Sequence, residues 1–456
     1  MSFIHAYGTC IPAFRIEDRM LNPKGKKNAA RAVCYTDEDI ITLAYEASKD
    51  CLANSKNQPE AIIFASSSPV FFNRYHASFL GDLLGLPPGL YSLDLLNASK
   101  SGTDAVVLAN SLINAGQFKN ILVICAEVHY AGIGNEIFTN HGHGACALLL
   151  SNQDGNSEIT NAISYGSHPA EEFDYKNQHL KMDARYGRDA GFKNCMIDLV
   201  KQHAKDIQGT DKIILNSLYA KLAGPVFMKA GCSENQFSRD TLTSAIGNTG
   251  CVHAVFQLIS ELENGTKNIM AIDYCNGTNV LQISSKQNNS TTWTEKLNQF
   301  NLIQSYQDYL TLRKEGNFNS RQYKTREMFS SDMMNDREQD AYIRLKAQKC
   351  VSCGTAYLIK TLRCKKCHSE NFETVQLANR GQVYSCTKEH YFPVSFPPVS
   401  MLVIDLDGGG RITVQQTNTM YPDQNDIEIG SNVKLVLRKM VEHDEKPNYF
   451  LKAIKA

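Results

Sequence analysis

Two runs in the first third of the chain, Ala61-Ile-Ile-Phe-Ala65 and Ile121-Leu-Val-Ile-Cys125, are continuously apolar instead of alternating with polar residues. Strands of that kind are buried on both faces, so they require helices above and below the sheet. The chain supplies those helices in alternation. Residues 3 to 11 read as a first strand, and Thr36-Asp37-Glu38-Asp39 opens a helix whose Ile40, Leu43, Ala44 and Ala47 repeat at helical spacing. A helix through Leu80 to Leu84 is closed by Gly85 and Pro87, and Gly142-His-Gly144 leads into a strand from Ala145 to Ser151. The order then begins again. A helix around Asp189 to His203, the strand Lys212-Ile-Ile-Leu215, helices from about Ala220 to Lys229 and from Cys251 to Leu262, and strands Asn268 to Tyr274 and Val280 to Ser284 echo the first half. The pattern is α/β with a mostly parallel or mixed sheet, duplicated in element order but without a residue-level repeat.

Between the two apolar runs, the strand signal Leu90-Tyr-Ser-Leu passes directly into a helical pattern carried by Val106, Val107, Ala109 and Leu112, with Gly102 easing the passage. Ser99 occupies the junction. Free backbone N–H groups and the helix dipole at such a position favour a nucleophile's anion or an oxyanion. A serine there serves equally well as a small N-capping residue.

With 456 residues, 43% of them hydrophobic, the chain can bury a large core in two or three domains. Lys+Arg and Asp+Glu both number 47, so no global basic character points to nucleic acid. The lysines and arginines near Lys24 to Lys27 and Lys360 to Lys366 read as solvated faces. No apolar stretch approaches the ~20 residues needed to cross a bilayer and the N-terminus has no leader pattern, so a soluble cytoplasmic protein is expected. Fourteen cysteines in a chain of this length are no disulfide framework, and ten of them lie singly on apolar segments as reduced thiols.

Ala98-Ser99-Lys100-Ser101-Gly102-Thr103-Asp104-Ala105-Val106 resembles, position for position, the Ala-Cys-Tyr-Gly-Gly-Thr-Ala-Ala-Leu run that carries the acyl-accepting cysteine in the thiolase superfamily, in particular in 3-hydroxy-3-methylglutaryl-CoA (HMG-CoA) synthases and type III ketoacyl synthases. The cysteine is a serine here, and an unassisted hydroxyl is not ionised as readily as a thiol. The resemblance covers about residues 1 to 285. Gly142-His-Gly-Ala-Cys-Ala-Leu-Leu-Leu looks like the family's Gly-Asp-Gly-Ala-Ala-Ala strand entry, and Asp183-Ala-Arg-Tyr186 like the Asp-Gly-Lys-Tyr after the substrate loop. Asp211 to Lys221 matches the frame in which the family's histidine stands, and that place belongs to Asn216. An amide can donate to an oxyanion but takes no proton at neutral pH. Gly247-Asn248-Thr249 matches the segment whose asparagine completes the oxyanion or enolate site.

The same resemblance implies that Lys221 faces the phosphates of CoA, although an ordinary exposed lysine fits as well. The HMG-CoA synthase glutamate base, in Gly-Thr-Glu-Ser, is replaced by Ser66, Ser67 and Ser68, and the nearby carboxylate, Glu60, precedes the strand. Replacement groups could come from His129, Tyr130, His141, His143, Tyr219 or His253, of which His253 reads best as a packed core histidine. The implied fold is a duplicated five-layer αβαβα core, and the implied assembly is a homodimer.

Lys286 to Thr294 is rich in Gln, Asn, Ser and Thr and reads as a linker, followed by charged helical periodicity over about 295 to 349. Cys350-Val-Ser-Cys353 and Cys364-Lys-Lys-Cys367 are two Cys-x2-Cys knuckles ten residues apart. Each knuckle places two thiolates on one turn, and two knuckles close a tetrahedral structural zinc site. Beyond them, Gly381 to Thr387, Ser400 to Leu406, Arg411 to Gln416, Asn432 to Leu437 and Tyr449 to Ile454 are five strand candidates of a small barrel. Ribbon and barrel together resemble the zinc-ribbon and OB-fold module that accompanies thiolase-like enzymes. The expected division is 1–285 thiolase-like, 286–345 linker and packing helices, 346–376 zinc ribbon and 377–456 OB fold.

The resemblance implies an enzyme that handles an acyl-CoA or acyl-carrier-protein thioester through its phosphopantetheine arm, by acyl transfer or by C–C bond formation or cleavage. Ser99, Asn216 and Asn248 form its non-standard site. The alternative is a degenerate scaffold or substrate-presenting subunit in complex with a thiolase-like partner. Neither nucleic acid nor membrane is an expected partner.

Overall fold

The computed structural model describes residues 1–129, 140–169, 172–175, 178–286, 292–313, 332–391, 394–421, 426–440 and 447–456. Among them, the first half contributes β1 (Ser2–Cys10), α1 (Ile40–Ala53), β2 (Ala61–Ser66), α2 (His76–Leu83), β3 (Tyr91–Leu96), α3 (Ser101–Asn114), β4 (Asn120–Glu127) and β5 (Gly144–Ser151). The second contributes β6 (Ser157–Gly166), α4 (Asn194–Gln208), β7 (Lys212–Asn216), α5 (His253–Glu263), β8 (Asn268–Tyr274) and β9 (Gly277–Ser285).

These strands form one sheet in the order β7-β8-β9-β6-β1-β5-β4-β2-β3. Within the first half β1, β5 and β4 are antiparallel neighbours and β4, β2 and β3 run parallel. The second half repeats this: β6, β9 and β8 are antiparallel neighbours and β8 pairs parallel with β7. Where β3 lies beside β2, the second half keeps a single parallel bridge from Ile213 to Phe237. Strand β6, not anticipated from the sequence, joins the halves by pairing Ser157 to Ile159 with the start of β1.

Side-chain alternation divides the interior into layers. Ile62 and Phe64 of β2 join an apolar cluster with α1, whereas Ile63 and Ala65 face a second cluster that contains α3 and α5. From the other half Ile269 and Ala271 face that central layer, and Met270 and Ile272 pack with Met196 and Leu199 of α4 in a third cluster. Two half-sheets, two outer helical layers and a shared pair of central helices are the five layers expected. The helix anticipated over Ala220 to Lys229 is a 3-10 turn, Ala220–Leu222, followed by a short helix, Gly224–Met228. That expected around Asp189 begins as a π-helical segment, Tyr186–Lys193.

Thr292–Asn298, Tyr306–Leu312 and Asp332–Tyr342 are helical, while most of the Lys286 to Thr294 linker lies outside the described residues. A three-stranded ribbon follows, β10 (Lys346–Cys350), β11 (Ala356–Tyr357) and β12 (Phe372–Gln376). The barrel comprises β13 (Arg380–Glu389), β14 (Val399–Leu406), β15 (Arg411–Gln415), β16 (Asn432–Lys439) and β17 (Tyr449–Lys455), in the order β15-β14-β13-β16-β17. A bridge from Gln416 to Ala453 nearly closes it.

The barrel interior and the α1 face of the sheet belong to one apolar cluster, so the two are packed as one body. Polar contacts frame the junction. Asp39 caps α1 in a capping box with Thr42 and also accepts from the Tyr449 hydroxyl at 2.8 Å. Arg438 lies 2.8 Å from Glu38 and 3.4 Å from Asp37, and Lys452 lies 2.9 Å from Asp37. The acidic run read as a helix start therefore also holds the barrel. Among the described residues no helix is long and apolar enough to cross a membrane.

Candidate active site and its relatives

The turn before α3 is closed by two bonds: the Ala98 N–H donates to Ser101 Oγ at 3.1 Å, and the Ser101 N–H to the Ala98 carbonyl at 2.9 Å. Ser99 projects from this turn partly exposed. Among the described residues its hydroxyl has no hydrogen-bond partner. Gly102 is required for packing rather than for backbone conformation, because a β-carbon there would lie 2.1 Å from the Cys251 carbonyl and 3.3 Å from Cys125 Sγ. This contact brings the start of α3 against the turn Gly250–Val252 that opens α5.

Asn248 sits just before that turn. Its Oδ1 accepts from the Gly250 N–H at 3.0 Å, which fixes the orientation of the amide and leaves Nδ2 uncommitted among the described residues. Its backbone is held as well, by Asn140 and Gly142. Asn216 ends β7 and donates from Nδ2 to Asp273 Oδ1 at 2.9 Å, while Asp273 Oδ2 lies 2.7 Å from the Thr103 hydroxyl of α3. The turn bearing Ser99 is thus linked to Asn216 through Thr103 and Asp273, and to Asn248 through Gly102 and Cys251. Ser99 and Asn248 each lie just before the start of a central helix, and Asn216 is tied to the first turn of α3.

Glu127, at the end of β4, was not singled out in the sequence, yet its carboxylate lies against the turn that opens α5. It is fully buried and accepts from the Ser67 N–H at 3.2 Å, the Ser67 hydroxyl at 2.8 Å, the Cys251 N–H at 3.2 Å and the Ser68 hydroxyl. Those four donors occupy its oxygens, so it clamps the Ser66 to Ser68 loop onto the start of α5. Glu60 is at the opposite end of β2, bound to the Lys119 N–H.

The cysteines near this turn are buried. Cys125, Cys146 and Cys251 surround the turn, all inaccessible, and burial pushes Cys146 and Cys251 well above the ordinary thiol range. His253 is a packed histidine bonded to Thr249, Thr243 and Asp240. His143 accepts from the Cys34 N–H at 3.0 Å and lies 2.8 Å from Arg313; burial and then that arginine hold it well below the usual imidazole range. Burial takes His129 down to about 3, and its ring stacks on His141 at 4.3 Å. Tyr219 packs on Phe192, 5.9 Å between centroids, and Tyr130 lies outside the described residues. Lys221 is exposed on its 3-10 turn, and the Asp183 carboxylate accepts from the Arg185 and Tyr186 N–H groups.

In the ribbon the four sulfurs of Cys350, Cys353, Cys364 and Cys367 lie within 4.8 Å of one another, with two pairs at 3.5 Å. Tetrahedral Zn–S bonds of about 2.3 Å separate sulfurs by about 3.8 Å, so the cluster fits zinc. The Tyr357 hydroxyl, 3.3 Å from Cys364, helps bring that thiol down to about 5.

Residues 93–168 match the family of 3-oxoacyl-(acyl-carrier-protein) synthase III, and residues 341–373 match the ChsH2 rubredoxin-like zinc ribbon domain. The chain is thiolase-like, with a zinc ribbon fused behind its α/β body. The hydroxymethylglutaryl-CoA synthase of Thermoplasma volcanium is 24% identical over 300 residues, covering 61% of this chain and 85% of that protein. Among solved structures, the HMG synthase of the curacin biosynthetic pathway, in complex with acetyl donor-ACP, superposes with a TM-score of 0.60 at 18% identity, over 68% of this chain and 88% of that one. The 3-oxoacyl-(acyl-carrier-protein) synthase III of Aquifex aeolicus gives a TM-score of 0.53 at 17% identity, over 62% of this chain and all of that one. The thiolase-like body is thus matched through most of its relatives' length.

Proposed function

We propose that this thiolase-like pocket binds an acyl thioester, of CoA or of a carrier protein's phosphopantetheine, and polarises its carbonyl for C–C bond formation or cleavage at the adjacent carbon without an acyl-enzyme. The observation that carries this reading is the pinned Asn248 amide, whose N–H pair has no partner among the described residues and which precedes the turn packed against Gly102 of α3. Preorganised donors of this kind act on charge as it develops on oxygen. Ser99, by contrast, has no base within hydrogen-bond reach among the described residues, and a hydroxyl without one does not take an acyl group. Asn216 is the second amide of the site, and Lys221 the cation for the CoA phosphates. The kinship with HMG-CoA synthases supports a thioester substrate, and the carrier-protein complex of the curacin enzyme makes a carrier-borne acyl group a reasonable form of it.

The four ribbon cysteines would hold a structural zinc, since a closed four-thiolate shell leaves no position for substrate. A homodimer is the assembly proposed.

Incubation with radiolabelled acetyl-CoA followed by peptide mapping tests the reading. Binding without label on Ser99 supports it, and label on Ser99 replaces it with acyl transfer. The absence among the described residues of a proton acceptor bonded to Ser99 also favours a second reading, a degenerate scaffold that holds a cysteine-bearing thiolase partner in a complex. That reading predicts no acetyl-CoA affinity and a stable complex with such an enzyme.

A further inference from the structure

Asp273 lies in register with Asn216 of β7 on one side and Asn279 of β9 on the other, a polar row across strands that are otherwise mostly apolar. Its carboxyl is 1% exposed, and both of its direct partners are neutral: the Asn216 amide nitrogen at 2.9 Å and the Thr103 hydroxyl at 2.7 Å. From α3 it also faces Lys100 and Asp104, but Lys100 is bonded to Asp104 at 2.6 Å, and Asp104 takes a further N–H from Asn279 at 2.8 Å. A buried carboxylate with only neutral donors is costly to ionise.

Thr103 has one proton and two acceptors for it, Asp273 Oδ2 and the Lys100 carbonyl at 3.0 Å, while Asn279 donates to its oxygen at 2.9 Å. With a proton on Asp273 every one of these bonds is made. With Asp273 ionised, the Lys100 carbonyl, next in sequence to Ser99, loses the Thr103 hydroxyl.

We propose that Asp273 is a positioning residue that ties down or releases the turn bearing Ser99 by exchanging a proton with solvent. Neutral, it donates to the Thr103 oxygen, and the Thr103 proton stays on the Lys100 carbonyl; ionised, it takes the Thr103 proton and that carbonyl loses its bond. The Asn216 amide nitrogen donates to the other carboxyl oxygen in both forms and favours the ionised one. The consequence rests on the thioester reading: the tied turn, that of the neutral form, is the one that binds the thioester. Burial raises this carboxyl to about 6, against the opposing bonds from Thr103 and Asn216, with Asp104 raising it further and Lys100 lowering it. The exchange therefore falls near neutral pH.

Thermal unfolding of the full chain as a function of pH tests the titration. A carboxyl raised on folding contributes stability that is complete below its unfolded value and lost as pH rises through about 6. Wild type should lose stability over that window relative to Asp273→Asn, which mimics the neutral acid. In Asn216→Ala, which removes a donor that favours the ionised form, the folded carboxyl should titrate higher and the loss should continue to higher pH. A gap that is constant with pH, or an unmoved midpoint in Asn216→Ala, overturns the proposal. Acetyl-CoA affinity supplies the second arm. It should fall about tenfold per pH unit above the midpoint in wild type, beyond the decline in Asp273→Asn that the CoA phosphates alone cause. Equal decline in both overturns the positioning role. Failure of acetyl-CoA to bind at any pH defeats the thioester reading instead, and the unfolding curves still decide whether Asp273 titrates against Asn216.

Discussion

The Cys251 carbonyl lies so close to the α-carbon of Gly102 that a β-carbon there would stand 2.1 Å from it. That contact fixes the spacing of the two central helices at their starts, which Ser99 and Asn248 each precede by a few residues. The obstructing atom is backbone, so it cannot swing aside as a side chain would.

Gly102→Ala is expected to cost about 1–3 kcal/mol or more and to weaken acetyl-CoA binding, because the helices must separate at the site. Urea unfolding measures the first effect and titration calorimetry the second. Gly209→Ala, where the added carbon meets nothing closer than 3.7 Å, should change stability by under about 1 kcal/mol.

The two asparagine and serine positions should separate in binding. Asn248→Ala removes a preorganised donor and should weaken acetyl-CoA about 3- to 10-fold, the range of one hydrogen bond worth about 0.5–1.5 kcal/mol. Ser99→Ala should change affinity by less than about twofold. Titration calorimetry on both variants reads the difference.

How much of this was legible in the sequence depends on how local each signal is. The cysteine knuckles, the barrel strands, β2, β4 and β5, and the Ser99 turn are set by residues within a few positions of one another. Strand β6 escaped because it is only half-buried and carries Glu158, Thr160 and Asn161 where an apolar run would have marked it. Its place is fixed by β1 and β9, over a hundred residues away in each direction. Glu127 was visible as the end of a strand, but its donors come from Ser67 and Ser68 on one side and Cys251 on the other, and only the fold assembles them. Asp273 and Gly102 acquire their meaning in the same way, from neighbours distant in sequence.

Arg438 joins the barrel to the α/β body through two buried carboxylates, so Arg438→Ala leaves Asp37 and Glu38 short of their countercharge. A loss of about 3–5 kcal/mol is expected. Urea unfolding gives the magnitude, and limited proteolysis should show cleavage between the body and the barrel that wild type resists.

Chelation of the ribbon metal, or Cys364→Ser, should unfold residues around 346 to 376, given apparent zinc affinities on the order of 10–16 kcal/mol in small four-ligand modules. Metal analysis should find one zinc per chain before treatment and none after it. The helical circular dichroism of the α/β body should largely persist, because the clusters around α3, α5 and α4 contain no ribbon residue, and Ala347 and Leu358 of the ribbon join only the cluster shared by α1 and the barrel.

The most direct measurement is the position of a bound thioester. A crystal structure with acetyl-CoA should place the thioester oxygen within hydrogen-bond distance of Asn248 Nδ2, beside an unmodified Ser99, with the CoA arm leaving past Lys221. An acetyl group covalently attached to Ser99, or a thioester bound with its carbonyl turned away from Asn248, would contradict the account.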